Sequence, residues 1–216
     1  MLPFTVEQFL EVFASYNTAV WPAQLVAYGI GGLLVVLLPS RSVQAGRLVA
    51  TGLAIMWLWT GIAYHGVYFS TINAVAPAFA VMFVLQAVLL IYIGVIRSKL
   101  RFAPPRDLAG WIGVTLIVYS LILYPLIGSW FGHRYPATPT FGITPCPLAL
   151  FTFGVLCLAT SRPSMWLLAL PLLWSLIGGT AAFLLSIPQD WVLLFAGALA
   201  LSSMGFRNSR QRHAAQ

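Results

Sequence analysis

Residues 56–73 combine an apolar background with an unusual number of hydrogen-bonding side chains. The segment is hydrophobic enough to lie in a lipid bilayer, yet it contains Trp57, Trp59, Thr60, Tyr64, His65, Tyr68 and Asn73. A polar group inside a membrane helix is costly to bury, so such residues are candidates for a functional site. The chemistry they allow is either hydrogen bonding to a solute or coordination of a metal ion.

A solute site could be built from two tryptophans and the hydroxyl residues that follow them. Trp59-Thr60 and Trp174-Ser175 occur in two apolar segments that align with each other. A pair of indole rings can enclose a flat or sugar-like solute, and the adjacent hydroxyls can hydrogen-bond it. The alternative is that both tryptophans only fill space in a helix bundle. The predicted substrate-binding residues are Trp59, Thr60, His65, Tyr68, Trp174 and Ser175.

A second group of residues could bind a soft metal ion. His65, His133 and Cys146, with Glu7 or Glu11, carry donor atoms suited to a cuprous or soft divalent ion. Cys146 lies between two prolines, which free backbone carbonyls as in the broken helices of transport sites. The alternative is that His65 forms a hydrogen bond between helices and that both cysteines of the chain are unpaired, because no CxxC or CxxH spacing is present.

Missing motifs exclude several functions. There is no HExxH, GxSxG or Walker sequence, and the single lysine, Lys99, falls in a predicted loop, which excludes a retinal protein. Asp190 is predicted at the outer face, so no carboxylate is expected within the membrane, as an ion-coupled pump or a membrane protease would need. We therefore expect neither enzymatic activity nor a cofactor.

The composition is that of a polytopic membrane protein. Of the 216 residues, 60% are hydrophobic and 7% are charged, and the mean hydropathy is +0.92. Soluble domains carry charge on about a quarter of their residues. The net charge of +7 is spread over short clusters, so nucleic acid is not an expected partner. Glu7 and Glu11 stand where a cleaved signal peptide would be basic, so none is expected.

The apolar pattern predicts a short helix followed by seven spans. Thr5 and Gln8 fit a capping box, and residues 5–16 are amphipathic, which is typical of a helix in the membrane interface. The spans are predicted at 20–39, 47–66, 75–96, 108–129, 146–161, 164–187 and 189–206. Because the fifth is short and Pro188 alone separates the last two, a count of six remains open.

Loop charge favours seven spans and gives their orientation. With seven, all but one of the eleven basic residues lie on one face, which the positive-inside rule makes cytoplasmic; Arg134 is the exception. We predict an inner-membrane protein with its N-terminus outside and a basic cytoplasmic tail at 207–216. The basic residues on the predicted cytoplasmic face are Arg41, Arg47, Arg97, Lys99, Arg101, Arg106, Arg162, Arg207, Arg210 and Arg212.

The spans also suggest an internal repeat. Residues 20–96 and 146–206 would form two parallel three-helix halves joined by a linker helix at 108–129. Trp21-Pro22 matches Cys146-Pro147, and Gly29 matches Gly154. Parallel repeats are a transporter architecture in which the solute binds between the halves. Apolar helices also align by chance, so the pattern does not require a repeat.

This plan resembles two kinds of membrane protein. Seven helices in a three-one-three order resemble the SWEET and PQ-loop carriers of small solutes, although the proline-glutamine pair is absent and Trp21-Pro22-Ala23-Gln24 is only similar to it. The sequences WLWTGIAYHGVYF and ITPCP are similar to sequences of a bacterial membrane family of unknown function. The second resemblance implies a multipass membrane protein and no particular activity.

Together these observations predict an all-α integral membrane protein that carries a small neutral or weakly polar solute by alternating access. Without an expected membrane carboxylate, facilitated diffusion is favoured over proton coupling. The alternatives are a metal-handling subunit that uses the outer face, or an accessory protein that packs against a larger membrane partner or a second copy of itself. The lipid bilayer is the expected partner in every case.

Overall fold

The computed structural model describes residues 3–160 and 163–213, with side chains up to residue 205. Over these residues the regular structure is helical, apart from one isolated bridge between Phe102 and Ala159. The predicted all-α class is therefore confirmed. The α-helices are α1 Val6–Ala19, α2 Ala23–Leu37, α3 Val43–Trp59, α4 Ala76–Leu90, α5 Leu108–Val118, α6 Tyr124–Trp130, α7 Pro145–Cys157, α8 Met165–Leu184 and α9 Trp191–His213.

Five continuous helical segments are long and apolar enough to cross a membrane. They are Ala23–Ser40, Val43–Thr71, Ala76–Ile96, Leu108–Trp130 and Met165–Leu184, and α7 is a shorter apolar helix. These helices support the predicted membrane protein. The predicted boundaries were inexact: the second span begins at residue 43 and continues to 71 rather than covering 47–66. The end of the fifth predicted span and all side chains of the basic tail 207–216 lie outside the described residues.

Three of these segments contain a stretch of wider, π-type helix. α3 continues as a π-helix over Thr60–Tyr68 and a 3-10 turn over Phe69–Thr71. α4 continues as a π-helix over Ile91–Ile96, and Tyr119–Leu123 joins α5 to α6 in the same way. π-Helical turns are rare and occur frequently at functional sites. The stretch singled out by its polar side chains is therefore also irregular in its backbone.

α7 forms the centre of the bundle. Every residue of this helix is buried, and it contacts α3, α5, α8 and α9. Its Thr152 hydroxyl accepts a hydrogen bond from the indole Nε1 of Trp57 at 2.9 Å. On the neighbouring helix pair, the Gln86 amide donates to the carbonyl of Leu167 at 3.0 Å. These bonds satisfy polar groups that no solvent reaches.

The connections gather at two ends of the bundle. At the basic end, Arg47 donates to the Ser98 hydroxyl at 2.8 Å, and the backbone N–H of Thr160 bonds to the Arg101 carbonyl. Arg47 lies within α3, not in the loop predicted for it. At the opposite end, which we call the α1 end, Asn17 of α1 donates to the carbonyls of Pro136 and Thr138, and residues of α1 share a buried apolar cluster with Leu185 and Ile187.

α1 packs against the bundle through its apolar face. The predicted capping box is confirmed: the Thr5 hydroxyl accepts from the N–H of Gln8, and the Gln8 amide oxygen accepts from the N–H of Thr5. Phe13 and Tyr16 are buried, whereas Glu11 is exposed on the opposite face. The predicted amphipathic helix is thus present, and it covers part of the α1 end.

Candidate functional site

A cavity of about 430 Å³ lies beneath α1. Its walls come from α1, from the irregular end of α3, from the start of α4 and α7, and from the second half of α8. Seven aromatic rings face it: Phe4, Phe9, Phe13, Tyr64, Phe69, Phe79 and Trp174. Small-molecule sites have this size and a mainly apolar lining with a few polar groups.

The polar groups of the cavity are grouped around one carboxyl. Asp190 lines the cavity and is only 2% exposed. Its carboxylate accepts a hydrogen bond from the buried hydroxyl of Tyr124. The thiol of Cys146 lies beside the same carboxyl and interacts with it. Asn73 lies elsewhere on the cavity wall.

Asp190 is held in place by the short 3-10 turn Pro188–Asp190 between α8 and α9. The next residue back, Gln189, accepts a hydrogen bond from the Tyr119 hydroxyl at its carbonyl, at 2.8 Å, and its side chain lies 3.1 Å from Nδ1 of His133. Burial raises the pKa of Asp190 to about 7, although the hydrogen bonds from Tyr124 and Cys146 act in the opposite direction. A carboxyl of this kind can gain or lose a proton near neutral pH.

Two of the predicted substrate-binding residues meet at the edge of this cavity. Trp174 lines it, and its ring centroid lies 4.9 Å from that of His65. His65 is fully buried among aromatic rings, which include Phe79 and Phe83. Neither imidazole nitrogen of His65 has a hydrogen-bond partner among the described residues. The two residues predicted together are therefore in contact, with His65 behind the cavity wall and not at an outer mouth.

Trp59 does not join them. It is 42% exposed, and its Nε1 donates to the hydroxyl of Tyr16 at 2.8 Å. It lines a different groove, formed with residues of α2 and with Ile143. Trp59 and Trp174 thus face different cavities, and the predicted indole pair around a single solute is not present. Tyr68 is also separate, because it packs against Tyr16 and lines a third groove with Glu7 and Glu11.

The two hydroxyl residues have different surroundings. The Ser175 hydroxyl donates to the carbonyl of Leu193 and so joins α8 to α9. Thr60 is fully buried at the start of the π-helix, and its hydroxyl has no hydrogen-bond partner in the part of the chain that the structure describes. Ser175 is therefore a packing contact, and neither residue lines the cavity.

The predicted metal site is not assembled. His133 pairs with Gln189, Cys146 lies beside Asp190, and His65 is enclosed by aromatic rings. Within residues 3–160 and 163–205, no group of three or more histidine, cysteine or acidic side chains could hold a metal ion. The three predicted ligands each have different neighbours, and the described structure does not bring them together around one point.

Comparison with known proteins identifies the family. A model described as a family of unknown function, DUF6064, matches residues 6–215. The chain belongs to this family. The resemblance to a family of unknown function is thereby confirmed, and the family model has no bearing on the SWEET and PQ-loop carriers. No curated protein and no solved structure matches the chain.

For this member of DUF6064, the sequence does not predict the burial of Asp190. The residue follows Pro188 in a connection between two apolar segments, and the sequence predicts it only at or near the outer face. The structure buries it instead, together with Tyr124 from α6. The signal in the sequence is the shortness of the connection: only Pro188 separates the predicted spans 164–187 and 189–206, so a carboxylate at position 190 has little room to reach water. Its partners could not be read from the sequence.

The hydroxyl of Tyr16 forms two hydrogen bonds that hold α1 in position over the cavity. It donates to the carbonyl of Ile143 at 2.9 Å and accepts from Trp59. We expect Tyr16→Phe to lower the free energy of unfolding by about 1–2 kcal/mol and to increase hydrogen exchange in α1, since both bonds are lost and a buried carbonyl is left unpaired. Tyr68→Phe, in the ring that packs against Tyr16, is the matched control. Equal exchange in the two variants would contradict this role.

Proposed function

We propose that this protein is a carrier of the inner membrane that binds a small, largely apolar solute in the cavity beneath α1 and moves it by alternating access. The observation that carries the proposal is an aromatic cavity of about 430 Å³ with one buried carboxyl, Asp190, in its wall. A carboxyl enclosed in a membrane protein is costly, and such groups commonly belong to substrate or proton pathways.

We propose seven spans, with the α1 end outside and the C-terminus in the cytoplasm. The five long segments would be completed by α7 and by the apolar part of α9. α7 is about 20 Å long at 1.5 Å per residue, too short to span alone, and the chain on either side of it would complete the crossing. The charge distribution supports this orientation, because Arg134 is the one basic residue on the α1 side of the described chain.

The buried carboxyl of Asp190 changes the expectation about whether solute transport is coupled to proton movement. The sequence favours facilitated diffusion because no carboxylate is expected within the spans. Asp190 lies in the turn between α8 and α9, but it is buried in the wall of the cavity that would hold the solute, so a carboxyl is available on the solute path. Because its pKa lies near 7, Asp190 can exchange a proton when the solute enters or leaves. We therefore propose proton-coupled exchange. Trp174 and the rings of α1 would contact the solute, and α1 would shift to admit it.

Cysteine labelling in sealed vesicles tests the transport step without knowledge of the solute. Thr180 lines the cavity, and Ser129 is exposed on α6 and does not line it. We expect Thr180→Cys to react with a membrane-impermeant maleimide in both right-side-out and inside-out vesicles, because the cavity opens to each side in turn. Ser129→Cys should react only in right-side-out vesicles. Both substitutions are made in a protein in which Cys146 and Cys157 are replaced by serine, because Cys146 lines the same cavity and would itself react when the cavity opens.

The labelling pattern separates the carrier from the alternatives. Reaction of Thr180→Cys in right-side-out vesicles alone would mean a binding pocket that never opens to the cytoplasm, as expected of an accessory subunit. Reaction of Ser129→Cys in inside-out vesicles alone would reverse the proposed orientation. Either result would overturn the corresponding part of the proposal.

A further inference from the structure

The lining of the cavity beneath α1 has the composition of a cation site. The face of an aromatic ring is electron-rich and attracts a cation, most strongly where water is excluded. Tyr64, Phe79 and Trp174 belong to three different helical segments, and Phe9 and Phe13 add rings from α1. Several rings that surround one space form a cage of the kind that recognises ammonium groups.

Asp190 supplies the negative charge that such a ligand needs. It is the one acidic residue in the cavity wall, and no lysine, arginine or histidine lines that wall among the described residues. The groups that face it are neutral: Tyr124 and Cys146 touch its carboxyl, and Tyr64 and Tyr119 lie nearby. A buried carboxylate without a cationic partner is unfavourable, and a bound cation would remove that penalty.

The charges at the α1 end favour the approach of a cation. Glu7 and Glu11 line a groove on the exposed side of α1, and with Asp190 they are three of the four acidic residues of the chain. Arg134 is the basic residue of the same end. Surface charge of one sign raises the local concentration of the opposite ion and steers it toward the site.

The same lining disfavours other ligands. Beyond Asp190, few groups in the described part of the wall can form hydrogen bonds; they are the side chains of Asn73, Cys146 and Thr180, the Tyr64 hydroxyl and the indole N–H of Trp174. A sugar would leave most of its hydroxyls without partners, and each lost hydrogen bond inside an apolar site is costly. An anion would meet Asp190 without a compensating positive group. A ligand with an apolar body and one positive charge fits the remaining requirements.

We infer that the cavity beneath α1 binds a lipophilic organic cation, such as a substituted ammonium ion, with Asp190 as its counter-ion and the aromatic rings around its apolar groups. The inference rests on the proposed use of this cavity as the solute site, but it does not depend on transport. Binding of a cation would hold Asp190 in its charged form. Below neutral pH the ligand would therefore displace a proton.

Equilibrium binding to the purified full-length protein tests the inference. The probe is benzyltrimethylammonium, measured by isothermal titration in detergent, with 3-phenylpropan-1-ol as an uncharged compound of similar size and benzenesulfonate as an anion. We expect the cation to bind at least about tenfold more tightly than either comparison compound. With the pKa of Asp190 about 7, its affinity should be about tenfold higher at pH 8 than at pH 6.

Substitutions test whether Asp190 and the aromatic rings are responsible for the affinity for the cation. Asp190→Asn should lose at least about tenfold in affinity for the cation, and with it the dependence on pH. Phe79→Leu should lose roughly threefold, whereas Phe131→Leu, in an exposed ring outside the cavity, should bind as the unsubstituted protein does. Unchanged elution on size exclusion would show that the variants are folded.

Two results would overturn the inference. One is equal affinity for the three compounds, and the other is an Asp190→Asn variant that keeps both affinity and pH dependence. If labelling of Thr180→Cys from both sides persisted alongside either result, the ligand class would be wrong and the carrier would stand. Specific binding of the cation with one-sided labelling would instead identify a binding protein that does not transport.

Discussion

Replacing Asp190 by asparagine is expected to stabilise the ligand-free protein by an amount that grows as the pH rises. Burial raises the pKa of this carboxyl from an ordinary value of 3.8 to about 7. Between these values the folded protein keeps a proton that the unfolded chain has lost, so its stability falls with rising pH and levels off above pH 7. The asparagine side chain does not titrate, so the variant does not lose stability in this way as the pH rises. Between pH 5 and pH 8 its advantage should grow by about 3 kcal/mol.

Thermal unfolding in detergent, followed at several pH values, checks this result. The informative quantity is the change of the difference between variant and unsubstituted protein, because any altered hydrogen bond to Tyr124 contributes equally at each pH. Glu11→Gln removes an exposed carboxylate and should show no comparable growth. A difference for Asp190→Asn that stays constant from pH 5 to pH 8 would mean that the carboxyl is ionised normally and has access to water.

Gly154→Ala is expected to destabilise the centre of the bundle, because the added methyl group would clash with backbone atoms of α5. At this crossing of α5 and α7, a Cβ on Gly154 would lie 2.7 Å from the carbonyl oxygen of Gly113 and 3.0 Å from the backbone N of Ile117. Backbone atoms cannot rotate away, so the two helices must separate. Overpacking of this kind costs about 1–3 kcal/mol and sometimes more.

Gly29→Ala is the matched control, since a Cβ at Gly29 meets nothing within 4 Å. The alanine should be tolerated there and should slightly favour the helix, because glycine is the poorer helix former. Thermal unfolding of the two variants in one detergent compares them directly. Similar losses in both, or none in either, would mean that the α5–α7 crossing is looser than the structure indicates.

These two glycines also show the limit of the predicted repeat. The alignment of residues 20–96 with 146–206 equates Gly29 with Gly154, but one faces open space and the other a close backbone contact. In the same way it equates Trp59 with Trp174, which face different cavities. Residues can occupy matching positions in two apolar helices while the helices pack differently. The common fold of residues 20–96 and 146–206 stays a prediction.

The sequence by itself determined the features that depend on local chemistry. The high apolar content and the long uncharged segments are sufficient to predict membrane helices, because backbone groups in lipid must be paired within the segment. The capping box at Thr5 and Gln8 was equally readable, since its two hydrogen bonds join residues three positions apart. The sequence also singled out the segment 56–73 by its polar side chains, whereas its π-helical backbone over Thr60–Tyr68 was not predicted.

Only the tertiary structure decided which of these residues meet. In a membrane protein the lipid and the helix interior are both apolar, so hydrophobic periodicity does not mark the face of a helix that packs inward. α7 is buried on every side and Asp190 is enclosed, yet neither differs in its local pattern from an exposed helix or a surface turn. The cavity beneath α1 is lined by residues from position 4 to position 190. Residues so far apart in the sequence come together only when all the helices have packed.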